Sequence, residues 1–364
     1  MVLTKPMDGD LVRARSEYVD ALERGDRREA IQTALDLLYR GFSAESVLTE
    51  LVAFGQTEVG AGWQHGRWSV TQEHRASAVA EAVIQAVAQH AVPIGQSVVE
   101  GSAGHVVVAC AEGEWHVLPG RLVSEVLRIR GFDVDFVGPS VPAGDLATFL
   151  GPDSPSTVAI SCSMPMSLVG AWHTITALRA AGKTVVCGGR GFGPEGRWGQ
   201  ALGADLWAGD IDTGARLLRD AVGEPPTPPR PEAIAADLVA EVNLAVRELP
   251  RVVEAAAHLA NVRWPELGRH PDWIRAGPEL LTFTCWTVVA STLVGDEAIV
   301  KEYIVWAESV LEAREMPRSL IAEAFSLLAT ALPADVPRCL SMTRAGVAAC
   351  SEAPRVSGLP SAPG

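Results

Sequence analysis

The stretch that decides the fold is His105-Val106-Val107-Val108-Ala109-Cys110-Ala111-Glu112-Gly113-Glu114-Trp115-His116-Val117-Leu118-Pro119-Gly120. A β-branched run leads into a short loop of glycine and acid, and helix-compatible residues follow, the order expected of strand, loop and helix. Downstream the alternation repeats. Strands are predicted at 105–111, 133–138, 157–163, 184–189 and 204–208, each followed by a helix-compatible stretch. Residues 103–223 therefore read as a Rossmann-like, doubly wound α/β domain with a five-stranded parallel sheet. Ligands of such sheets sit beyond the carboxyl ends of the strands, which here are 111–119, 161–166 and 188–193.

Upstream, residues 1–98 read as a bundle of four amphipathic helices. Leu11, Ala14, Tyr18, Ala21 and Leu22 keep helical spacing up to Gly25, and Asp26 with Glu29 then predicts a capping box. Ala30, Ile31, Ala34, Leu35 and Leu38 form the next stripe, which Gly41 ends. Ser43 is placed to cap a third helix running to about His65, and Ser69 or Thr71 to cap a fourth carrying Ala76 through Val87. Three short connections imply antiparallel neighbours. Downstream, residues 224–231 (EPPTPPRP) hold five prolines and predict an extended linker. Residues 232–350 read as an all-α domain, in which Val300, Tyr303, Ile304, Ala307, Val310 and Leu311 share one face, as do Ile321, Ala324, Phe325, Leu328 and Leu332. Residues 351–364 are a Ser/Pro/Gly-rich tail, expected to be flexible.

Composition narrows the classes. The 364 residues suit two or three domains, and 48% hydrophobic against 20% charged residues is the balance of a folded chain. A formal net charge of -14 with no cluster of Lys and Arg argues against direct binding to nucleic acid. No apolar run has membrane-spanning length and the amino-terminal residues lack a signal peptide's apolar core, so a cytoplasmic protein is expected. Six cysteines without a CxxC pair predict neither a zinc knuckle nor a disulfide framework.

His116 carries the chemistry of the loop. A histidine at a strand's carboxyl end, two residues after Glu114, has the makings of an oriented metal ligand, since the carboxylate can hold one ring nitrogen and present the other. Taken by itself, the loop is equally consistent with a surface histidine. With the rest of the chain, the sequence resembles the cobalamin-binding domain of methionine synthase, corrinoid proteins and adenosylcobalamin-dependent mutases. In that family an Asp-x-His-x-x-Gly motif supplies the lower ligand of cobalt while the nucleotide tail lies buried along the sheet. Glu114-Trp115-His116 matches the first half with Glu for Asp; Pro119 stands at the glycine position and Gly120 follows one residue late. Ser161 and Ser163 after the third strand, and Gly188 and Gly189 after the fourth, match the family's later signatures. The resemblance thus implies His116 on cobalt, with Glu114, Gly120, Ser161, Ser163, Gly188 and Gly189 around the cofactor.

The bundle adds a second match. Trp63 is followed after nine residues by Glu73-His74, an arrangement similar to that of the CarH-type cobalamin photoreceptors. There the tryptophan and glutamate enclose the 5'-deoxyadenosyl group on the upper face. The resemblance therefore implies adenosylcobalamin as cofactor and Trp63, Glu73 and His74 as its cap. Where that family has a cobalt-binding histidine after the tryptophan, this chain has Gln64, with His65 next, and no helix-turn-helix domain precedes the bundle. The whole layout is most similar to the photocobilins, which pair cobalamin with a bilin. That implies a biliverdin-type linear tetrapyrrole in 232–350, where Arg263, Trp264, His270, Asp272, Trp273 and Arg275 suit propionates, pyrrole nitrogens and a flat ring system. Ordinary core tryptophans in a helical interaction domain are the plainer reading of the same residues. The expected function is a light-sensing regulator rather than an enzyme, signalling by self-association as a homo-oligomer or through a partner protein. The alternative is a corrinoid methyl carrier of a methyltransferase system, which needs an upper face that partner proteins can reach.

Overall fold

The computed structural model describes residues 8–91, 103–151, 155–223, 234–265, 269 and 271–352. The linker 224–231 and the tail lie outside the described residues, apart from the end of the last helix. In chain order the elements are α1 (Asp8–Arg24), α2 (Arg27–Tyr39), α3 (Ala44–Ser46), a π-helical segment (Val47–Val52), α4 (Ala53–Gln64) and α5 (Val70–Ala91). Then come β1 (His105–Cys110), α6 (Val117–Ile129), β2 (Asp133–Gly138), α7 (Ala143–Phe149), β3 (Thr157–Ser161), α8 (Leu168–Ala180), β4 (Thr184–Gly188), α9 (Arg197–Ala201), β5 (Leu206–Ala208) and α10 (Ile211–Gly223). The C-terminal part holds α11 (Ala236–Arg263), α12 (Pro271–Val294), α13 (Ala298–Glu312), α14 (Leu320–Ala331) and α15 (Pro337–Glu352). The chain divides into two compact units, the first built of bundle and sheet, the second of the C-terminal helices.

The predicted caps form, with one correction. Asp26 Oδ1 accepts from Glu29 N at 3.0 Å, but the Glu29 carboxylate turns to Arg24 instead of closing the box. Ser43 Oγ accepts from Ser46 N at 3.0 Å. At α5 the box is complete: Gln72 N donates to Ser69 Oγ at 3.2 Å while Ser69 N donates to Gln72 Oε1 at 2.8 Å, so Ser69 rather than Thr71 is the cap. The third predicted helix is continuous from 44 to 64 but passes through the π-helical segment, which no periodicity signalled.

Two glycines set how closely this helix is approached. A Cβ on Gly55 would lie 2.4 Å from Tyr18 Cε1, so α1 packs directly against α4, and a Cβ on Gly62 would lie 2.9 Å from Trp68 Cδ1. Trp68 is 5% exposed and belongs to the bundle core.

The five strands are all parallel, in the order β2-β1-β3-β4-β5, with the direction of winding reversing between β1 and β3. Strands β3, β4 and β5 are shorter than their predicted runs, because the chain leaves the sheet at Ser161 and Gly188 and enters it only at Leu206. Helix α6 belongs to two cores at once. Its Leu118 and Val126 join the bundle's apolar cluster, while Leu127 packs with Val106, Val108 and Val134 of the sheet. At its end Arg130 Nε donates to Glu45 Oε2 at 3.1 Å, and its guanidinium also pairs with Asp212. This ties bundle, α6 and α10 together.

In the second unit, buried Glu241 of α11 accepts from Cys339 N at 3.0 Å and pairs with Arg338 Nη1 at 2.9 Å, capping α15. Thr284 and Tyr303 share a buried hydrogen bond of 2.8 Å.

Two neighbouring substitutions separate packing from helix propensity. Gly62→Ala forces a methyl into Trp68 and is expected to lower apoprotein stability by about 1–3 kcal/mol. A Cβ on exposed Gly60 meets nothing within 4 Å, so Gly60→Ala should raise stability by about 0.5–1 kcal/mol. Urea midpoints at unchanged m decide it, and a neutral Gly62→Ala contradicts the packing.

Candidate functional site

The site is built on the loop 111–116. Glu112 N donates to Thr174 Oγ1 at 3.1 Å and Gly113 N to Ser140 Oγ at 3.1 Å, while Gly113 takes a φ of 77° that suits glycine. The loop then buries Glu114, which is 1% exposed. Its Oε1 accepts from His116 N at 2.8 Å and lies 2.6 Å from His116 Nδ1; its Oε2 accepts from Ser163 N at 2.7 Å. Burial alone would raise this carboxyl's pKa, but the hydrogen bonds and charge of His116 and the Ser163 N–H outweigh it, leaving it below the usual carboxylate range. His116 is raised in turn, chiefly by the bond to Glu114 against an opposing effect of burial, with Glu73 adding to the rise and Arg190 opposing it.

His116 is the N-cap residue of α6 and its side chain is 58% exposed. With Nδ1 held by the carboxylate, Nε2 is the nitrogen presented outward, and it has no hydrogen-bond partner among the described residues. Among those residues no group of three or more His, Cys, Asp or Glu is placed to hold a metal ion.

The other sheet-end residues gather around it. Gly120 lies in α6 where a Cβ would come 3.3 Å from Phe136, 3.5 Å from Cys110 Sγ and 3.5 Å from Ser161 Cβ, so its lack of a side chain keeps helix and sheet close beneath the histidine. Ser163 contributes its backbone N–H to Glu114, a role that its hydroxyl did not announce. Gly188 has only Ala208 O within 4 Å of a Cβ, at 3.6 Å, whereas a Cβ on Gly189, whose φ is 105°, would lie 2.3 Å from Cys162 O. One glycine thus leaves room and the other makes the turn. The residue missed in the sequence is Arg190, exposed on this turn and close enough to act electrostatically on His116. A single arginine in a glycine-rich stretch carries no pattern that marks it.

On the bundle side, Trp63 ends α4 and Glu73 lies in the first turn of α5, both half-buried. Ser77 Oγ donates to Glu73 Oε1 at 2.9 Å, and the exposed His74 bonds to Glu73 Oε2. The charge of Glu73 adds to the raised pKa of His116. Gln64 is half-buried, and His65 is exposed with Nδ1 2.8 Å from Ala61 O.

The residues proposed for a bilin are only partly brought together. Arg263 stacks over Trp264 at 4.7 Å and lies 3.8 Å from Glu323, while Trp273 is 5% exposed and packs against Gly277. His270 and the side chains of Asp272 and Arg275 lie outside the described residues. Cys285 is buried, and burial pushes its thiol up to about 12.

Comparison with known proteins defines the class. Residues 104–215 match a family model described as B12 binding domain and residues 14–88 match a second of the same description, so this is a cobalamin-binding protein. Among individual relatives, 153 residues are 29% identical to the HTH-type transcriptional repressor CarH of Myxococcus xanthus, over 42% of this chain and 48% of that protein. The chain thus spans about half the length of the curated relative it matches. Among solved structures, the monomethylamine corrinoid protein of Methanosarcina barkeri is 18% identical, covering 58% of this chain and 99% of that one with a TM-score of 0.49. A cobalamin-binding protein from Desulfitobacterium hafniense is 18% identical over 58% of this chain and 100% of that one, at 0.31. Among the described residues no helix is long and apolar enough to cross a membrane.

Because Glu114 satisfies two backbone N–H groups from inside the protein, Glu114→Ala is expected to lower apoprotein stability by about 1–3 kcal/mol. His116→Ala, at an exposed ring, should change it by less than about 1 kcal/mol. Urea unfolding of both variants tests this, and a neutral Glu114→Ala refutes the anchoring role.

Proposed function

We propose that this protein is a light-sensing regulator that holds adenosylcobalamin between bundle and sheet domain, with His116 as lower axial ligand. One observation carries the reading: buried Glu114 holds His116 Nδ1 at the N-terminus of α6, and α6 packs its Leu118 into the same apolar core as the bundle helices that carry Trp63 and Glu73. Similarity to a transcriptional repressor of the CarH type supports a regulatory role. Adenosylcobalamin, when bound, supplies absorption of green light and a photolabile cobalt–carbon bond. Glu114 orients the His116 ring, Gly188 leaves space beside β4, and Trp63 with Glu73 packs on the adenosyl group. Loss of that group removes the surface on which the cap rests, and the bundle responds. The readout is self-association or a partner protein.

The C-terminal unit is proposed to take biliverdin without a covalent bond, at the end of α11 where Arg263 and Trp264 stand together. Buried Cys285, with its raised thiol, suits a structural role better than a thioether.

Spectra of the loaded protein test both parts. His116→Ala should fold and bind corrin but lose the histidine-ligated, base-off spectrum, and a spectrum unchanged from wild type rules His116 out. Green light should convert the adenosylcobalamin form, and Trp63→Ala should weaken adenosylcobalamin by up to about 3 kcal/mol with hydroxocobalamin little affected. Equal losses for the two cobalamins refute the cap. A protein indifferent to green light that exchanges methyl groups with a methyltransferase is instead a carrier. Co-expression with a biliverdin source should give a long-wavelength band that survives gel filtration; without it, the C-terminal unit is a plain helical interaction domain.

A further inference from the structure

Beyond Trp63 and Glu73, the bundle holds an unexplained polar gap. Gln56, Gly60 and Trp63 fall at i, i+4 and i+7 of α4 and so share one face. Ser77 Oγ lies 3.5 Å from Gln56 Oε1, which fixes how antiparallel α5 runs alongside. One turn on from Gln56 is Gly60, and one turn back from Ser77 is Glu73, so Glu73 lies across from Gly60. Gly60 has nothing within 4 Å of a Cβ and no left-handed backbone that would call for glycine. Helix geometry does not ask for it, and the position is open to solvent. One turn back, Gln56 Nε2 is buried and has no hydrogen-bond partner among the described residues. Ser77 Oγ lies nearer Glu73 Oε1, at 2.9 Å, than Gln56 Oε1, at 3.5 Å, and both are acceptors that leave the Gln56 amide donor unserved. A buried amide donor left unpaired costs stability unless something supplies an acceptor.

We propose that Gln56, Gly60 and Ser77 extend the cap into a slot for a nucleoside-type upper ligand, and that Gln56 is a specificity-determining residue which donates to that ligand. The slot deepens the cobalamin reading above and rests on it. Its chemistry is that of a nucleoside: the Trp63 indole packs on a flat base, the Glu73 carboxylate accepts from ribose hydroxyls, and Gln56 Nε2 donates to a ring nitrogen or ribose oxygen. A methyl or water ligand on cobalt is too small to reach Gln56. Gln56 therefore separates adenosylcobalamin from methyl- and hydroxocobalamin.

The test measures, in the dark, the dissociation constants of adenosyl-, methyl- and hydroxocobalamin for the full chain and for two variants. Gln56→Met keeps the volume and removes the donor; it should weaken adenosylcobalamin by about fivefold to twentyfold, the loss of one buried hydrogen bond, and shift the other two by less than about twofold. Gly60→Leu fills the gap from an exposed helical position and should weaken adenosylcobalamin alone, which keeps the proposal testable if Gln56→Met fails to fold. Uniform losses across the three cobalamins, or adenosylcobalamin affinity untouched in both variants, overturn the slot while leaving cobalamin binding intact. A wild-type protein that binds all three alike overturns the slot and the adenosyl reading together.

Discussion

The buried carboxylate of Glu114 is the interaction on which the site depends, because it joins two loops and a ring nitrogen through one pair of oxygens. Its Oε1 serves the backbone and Nδ1 of His116, and its Oε2 serves the backbone of Ser163. The loop after β1 is thereby fixed to the loop after β3, across the point where the sheet reverses its winding. A carboxylate in this position stays charged because its hydrogen bonds outweigh the cost of burial. That charge holds Nδ1 and so decides which nitrogen His116 presents.

Helix α6 carries this local order outward. His116 stands at the N-terminus of a helix whose apolar residues divide between the bundle core and the sheet core, so its position follows both. The Arg130 pairs with Glu45 and Asp212 add a fixed electrostatic tie at the other end. On the sheet side the turn after β4 is tightly packed, since a Cβ on Gly189 or Gly191 would run into Cys162. On the bundle side, Trp63 and Gln56 of α4 and Glu73 of α5 are half-buried. Bundle and sheet loop are linked through α6, whose Leu118 and Val126 pack in the bundle core.

Much of the local structure was legible in the residues. Ser43 and Ser69 cap where their side-chain chemistry places them, and β1 to β4 appear where Val, Ile and Thr recur. The misses were of other kinds. Glu29 turned to Arg24 because an ion pair competed with the box, and the π-helical segment followed from packing that helical periodicity does not encode. Of the ten cobalamin-site residues read from sequence, Ser163 acts here through its backbone, and Arg190 and Gln56 were not seen because an isolated arginine or glutamine has no diagnostic spacing.

The sequence by itself determined the order of elements, the class of sheet and the Glu114-x-His116 pair, since these depend on contacts within a few residues. Only the tertiary structure decided that Glu114 is buried, that Ser163 N reaches it from a distant loop, and that Gln56 Nε2 is left unpaired one turn from exposed Gly60. Burial and the pairing of helix faces arise from segments distant in sequence. No local pattern can carry them, because the same residues on a differently packed helix would face solvent.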